Sequence, residues 1–119
     1  MTNYKTLDAW KLSMELVKEI YILTKEYPGD EKYSLIDQTK RAALSIPCNI
    51  AEGMGRNHKK DTIQFLYISR GSGYEIETLI NIAFKTSIID EKSFNEISKK
   101  IDRNIKMING LINYLEQKL

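Results

Sequence analysis

Apolar residues recur at intervals of three and four along four stretches of the chain, the period of helices that each bury one side. The first stretch, about 7–26, carries Leu7, Trp10, Met14, Val17, Tyr21 and Thr24 on one stripe and Leu12, Leu16, Ile20 and Leu23 on another. The second, about 31–54, aligns Leu35, Thr39, Ala42, Ala43, Ile46 and Ile50. In the third, about 58–85, the inward stripe reads Phe65, Ile68, Ser72, Glu75, Ile76, Leu79, Ile82 and Ala83. The fourth, about 91–118, is the cleanest, with Phe94, Ile97, Ile101, Ile105, Ile108, Ile112, Leu115 and Leu119 on one side. Tyr27-Pro28-Gly29-Asp30, Gly53 to Asn57 and Thr86 to Asp90 separate the stretches with turn-forming residues. Thr6, Asp30, Asn57 and Asp90 stand where helix caps belong. Connections this short join antiparallel neighbours. The pattern therefore predicts an all-α fold, an antiparallel up-down-up-down four-helix bundle in a single domain over residues 1–119.

The second helix departs from a simple amphipathic pattern. Beside its apolar line runs a polar seam, Gln38, Arg41, Ser45, Asn49 and Glu52, and its far side (Asp37, Leu44, Cys48, Ala51) is too apolar for water. Pro47 lies in the interior, where it removes a donor and crowds the carbonyl of Ala43 at a cost of about 3 kcal/mol. A proline kept there implies a kink held by packing, and Gly53 reads as the turn that ends the helix. With the reversal centred near Arg56, facing residues should have numbers summing to about 113. That places Gln38 beside Glu75, Arg41 beside Ser72 and Ser45 beside Ile68. A carboxylate on an inward stripe needs a partner. Glu75 is thus expected to accept a hydrogen bond from Gln38, Arg41 or another seam residue. Gly71 and Gly73, each costing about 1 kcal/mol in a helix, imply close approach by a neighbour.

Composition narrows the chemistry. The chain has one cysteine, Cys48, and one histidine, His58, so no disulfide and no cysteine- or histidine-rich metal centre is expected. No glutamate has a histidine three residues on, as a di-iron bundle requires, and Ser45 and Ser72 have no base to activate them. No catalytic residue, metal or cofactor is therefore assigned, and the seam is read as structural. No apolar run approaches the ~20 residues of a membrane span, and the first ten residues lack a signal-peptide pattern, so a cytoplasmic protein is expected. Net charge is +2 overall, yet residues 40–70 hold six basic against two acidic residues. Arg56, His58, Lys59 and Lys60 cluster at the second turn, with Arg70 further along the third helix.

The stretch YPGDEKYSLIDQTKRAALSIPCNIAEG, followed by RGSGYEIET, resembles the bacterial four-helix-bundle family named for proteins encoded in intervening sequences of 23S rRNA genes. The most specific part runs from Arg41 through Ser45, Ile46, Asn49, Ile50, Ala51, Glu52 and Gly53, backed by Gly71, Ser72 and Glu75. Thr86-Ser87 stands where the family commonly has glycine. The resemblance implies a homopentamer and kinship with accessory proteins of diversity-generating retroelements, which bind a reverse transcriptase and nucleic acid. It implies no enzymatic activity.

Two functions compete on these grounds. One is an oligomeric accessory protein that binds nucleic acid, structured RNA first, through Arg56, His58, Lys59, Lys60 and Arg70. The other is a protein-interaction scaffold without a nucleic-acid role, supported by the modest net charge and by the lack of interleaved basic and aromatic residues on an exposed surface.

Overall fold

The structure, a computed structural model, describes residues 3–119, of residue 32 the backbone alone; residues 1 and 2 of the expected domain lie outside it. Four helices, α1 (Asp8–Thr24), α2 (Asp37–Met54), α3 (Lys59–Lys85) and α4 (Glu91–Glu116), form a bundle of 45 × 24 × 20 Å. A 3-10 turn at Tyr4–Thr6 precedes α1, and a 3-10 turn at Gly29–Glu31 followed by a π turn at Lys32–Ile36 leads into α2. Of the expected caps only Asp90 acts through its side chain, whose Oδ1 accepts from the Ser93 backbone N–H at 2.8 Å. That bond holds the Asp90 carboxyl below its ordinary range. Thr6 and Asp30 lie in 3-10 turns, and α3 starts from His58 rather than Asn57.

Neighbouring helices run antiparallel, as their cross-links demonstrate. Between α2 and α3, the Ser72 hydroxyl donates to the Ser45 hydroxyl (2.7 Å), Ser69 to the Ile46 carbonyl (2.9 Å) and Thr62 to the Gly53 carbonyl (2.7 Å). Residue numbers fall on α2 as they rise on α3. Between α3 and α4, Tyr67 reaches Glu116 and Arg70 reaches Asn109. Between α4 and α1, Asn104 approaches the Ala9 carbonyl and Lys100 pairs with Glu19 at 3.1 Å. The topology is up-down-up-down.

The α2–α3 register corrects the expected one. Ser45 faces Ser72 rather than Ile68, one turn along, and the cross-links Gly53–Thr62, Ile46–Ser69 and Ser45–Ser72 all lie further along α3 than a hairpin folded symmetrically about residues 55–58 would pair them. The inward side of α3 is also rotated from expectation. Leu66, Ser69, Ser72, Gly73, Ile76, Leu79, Ile80 and Ala83 are buried, whereas Ile68, Glu75 and Ile82 face out. Small residues account for this. A Cβ on Gly73 would lie 2.8 Å from Ile105 Cγ1 and one on Gly53 2.7 Å from Phe65 Cβ, so helices meet where side chains are smallest. Large isoleucines drew the expected stripe away from that line. Gly53 is accordingly buried within the last turn of α2 and not the turn itself. Pro47 is buried inside α2, which runs through it without a break.

In α1 the buried line, Ala9, Ser13, Leu16, Ile20 and Thr24, runs between the two expected stripes and leaves Met14 and Tyr21 exposed. The α4 stripe is buried from Ile97 to Ile112, with Asn104 also enclosed, while Phe94 and Leu115 are half-buried and Leu119 is exposed past the helix end. Ser87 in the last turn has φ 64°, the left-handed conformation that glycine adopts without strain.

Candidate nucleic-acid interface

The seam on α2 divides in two. Its inner part is a small polar network: Ser72 donates to Ser45, and the Asn49 side-chain amide donates to the Ser45 hydroxyl (2.9 Å) and carbonyl (2.8 Å). Its outer part does not join it. Gln38, Arg41 and Glu52 are exposed, and Glu52 pairs with Arg56 at 2.9 Å. The bond expected at Glu75 is absent: its carboxylate is exposed and makes no hydrogen bond or ion pair among the described residues. Rotation of α3 carries Glu75 onto the surface, where water satisfies it without a partner. Among the described residues no cluster of three or more His, Cys, Asp and Glu side chains could hold a metal ion, and no helix is long and apolar enough to cross a membrane.

The cations at the second turn differ in how far they are neutralised. Arg56 pairs with Glu52 and lies over the Phe65 ring, 4.6 Å from its centroid. His58 is exposed and opens α3 without a side-chain cap. Lys59 donates to the Lys118 carbonyl at the end of α4 (3.1 Å), a partner that leaves its charge intact. Lys60 is exposed, with no hydrogen bond or ion pair among the described residues.

Arg70 does not join that cluster. It lies ten residues past Lys60 on α3, about 15 Å along the axis, on the side that faces α4. One guanidinium nitrogen donates to Asn109 Oδ1 (3.0 Å), and the group lies 4.8 Å from the Tyr67 centroid and 5.9 Å from that of Tyr74. The three ion pairs among the described residues do not include it. Tyr67 in turn donates to Glu116 Oε2 at 2.6 Å, which holds its phenol above the ordinary range. A basic residue does therefore lie between aromatic ones on a partly exposed helix side, contrary to the expectation of no such interleaving. Tyr67, Tyr74 and Asn109 were not singled out in the sequence. The signal available for the first two is the Tyr-x-x-Arg-x-x-x-Tyr spacing of residues 67–74, which lines up side chains on one helix side.

An all-helical antiparallel bundle with a polar seam and an uneven basic edge is the class these observations define. The family model described as 23S rRNA-intervening sequence protein matches residues 5–110, and the chain belongs to that family. Among solved structures, the fold matches a crystal structure of a protein with unknown function from the S23 ribosomal protein family of Bacteroides thetaiotaomicron. The TM-score is 0.81 and the identity 23%, over 87% of this chain and 97% of that one. No curated protein matches the chain.

Proposed function

We propose that this protein is a non-enzymatic, self-associating bundle that binds nucleic acid, structured RNA foremost, through the cations along α3. The observation that carries the reading is placement: Lys59, Lys60 and Arg70 lie along one edge of α3, and none of the three faces a carboxylate. Cations left free on one edge serve a polyanion, whose binding grows with each phosphate contacted. The family's description, which names a 23S rRNA intervening sequence, makes RNA the first probe. Retention of RNA at low salt, lost on the double substitution Lys59→Ala/Lys60→Ala, is the expected result. No retention at low salt overturns the reading.

Self-association rests on the outer side of α2 and α3. Leu44, Ile68 and Ile82 are each more than 40% exposed, and Gly71 stands on the same stripe as Ile68 and Ile82 with open space around its missing side chain. A glycine in mid-helix costs about 1 kcal/mol, and nothing in one subunit accounts for it. Close approach of another copy does, and the homopentamer implied by the resemblance would place one there. Light scattering is expected to give a mass several times that of one chain, reduced by Gly71→Arg or Ile68→Arg without loss of helicity. A single-chain mass at micromolar concentration overturns this part.

A further inference from the structure

We infer that Tyr67, Arg70 and Tyr74 form a stacking platform for unpaired nucleobases, set on the same side of α3 as the phosphate-binding lysines. The inference deepens the nucleic-acid reading above and rests on it. Seven residues advance a helix by nearly two turns, so Lys60, Tyr67 and Tyr74 share one stripe, spanning about 21 Å. Arg70 lies beside that stripe, with its guanidinium between the two tyrosines in sequence and within 6 Å of both rings.

Three features fit a base rather than a duplex backbone. The Arg70 partner is the neutral amide oxygen of Asn109, which fixes the guanidinium and leaves its charge uncompensated. The bond to Glu116 engages the Tyr67 hydroxyl, which restrains the ring while its π-face contacts Arg70. Tyr74 is 46% exposed and its hydroxyl has no partner among the described residues, so ring surface remains for a ligand. Flat aromatic and guanidinium groups stack on bases that are not already stacked in a helix. The acidic Glu116 and Glu77 bound the platform, so phosphates run toward Lys59 and Lys60 and the footprint is short. The ligand class is therefore unpaired nucleotides, as in a loop or bulge of a folded RNA.

The test is fluorescence anisotropy at low salt with two probes, a short labelled oligouridylate and an RNA duplex of the same length. Tyr74→Ala, at a surface position that leaves the core intact, is expected to weaken oligouridylate binding about tenfold and to leave duplex binding within about twofold. Tyr74→Phe retains the ring and is expected to bind like the unmodified protein. If Tyr74→Ala binds oligouridylate as well as the unmodified protein does, the contacts around Arg70 are internal to the protein and the platform is wrong. In that case loss of both probes on Lys59→Ala/Lys60→Ala still upholds the wider nucleic-acid reading. If the unmodified protein binds neither probe, both fall together.

Discussion

Adding one methyl group at Gly53 tests how closely α2 and α3 are packed. An ideal Cβ there would lie 2.7 Å from Phe65 Cβ, 3.1 Å from the Thr62 carbonyl oxygen and 3.6 Å from Phe65 Cγ. Carbon atoms rest at about 3.5–4.0 Å, so the helices must part by about 1 Å. None of these atoms is the end of a flexible side chain, so rotation offers no escape. Overpacking of this kind costs about 1–3 kcal/mol. The same movement stretches the Thr62 bond to Gly53 and the Ser69 bond to Ile46, each worth about 1 kcal/mol. Against this, alanine recovers at most about 1 kcal/mol of helix propensity, and less in a last turn. The cost wins by about 2 kcal/mol. For a chain of this length that lowers Tm by about 8 °C, read by circular dichroism. Gly110→Ala is the control: Gly110 is mid-helix, exposed and has nothing within 4 Å, so the substitution should raise Tm by a few degrees. Equal shifts in the two variants, or a Gly53→Ala protein as stable as the original, would refute the close-packing argument.

Other positions make independent predictions. The Tyr27 hydroxyl is buried without a partner, and burial pushes its phenol up to about 12. The unfolded chain releases that proton near pH 10 and the folded chain near 12, so between those values the folded state holds more protons and stability falls as pH rises. The loss is about 1.4 kcal/mol per pH unit, and Tyr27→Phe should remove this share of the slope; denaturant midpoints that fall equally in both proteins would contradict it. Asn104 is 1% exposed, its Oδ1 has no partner and its amide reaches Ala9 only at 3.4 Å. Asn104→Leu should therefore be neutral or stabilising by about 1 kcal/mol, and a large drop in Tm would mean the amide holds α1 in place. Ser87→Gly relieves the left-handed backbone and should raise stability by about 1 kcal/mol; unchanged thermal unfolding would leave that strain unsupported.

The helices and their order were legible because each repeats large apolar residues at helical spacing, α4 most plainly from Ile97 to Ile112. The phase of α3 was not. Its contact side is made of Ser69, Ser72 and Gly73, which carry little hydrophobic signal, while Ile68 and Ile82 advertise a side that a single subunit leaves exposed. Glu75 went astray with them. The seam survived in part, since Ser45 and Ser72 do meet, though one turn from the register that the position of the reversal implies. At the basic edge, charge located the residues and could not rank them. Only the folded structure separates Arg56, neutralised by Glu52, from Arg70, held by an amide between two tyrosines.

The salt dependence of RNA binding reaches the central claim most directly. Three cations on the α3 edge of each subunit, none facing a carboxylate, predict that log affinity for a structured RNA with unpaired loops falls against log salt with a slope of about −2, and more steeply if several subunits engage one RNA. A flat dependence, or no binding even at low salt, would contradict the assignment of this α3 edge to nucleic acid.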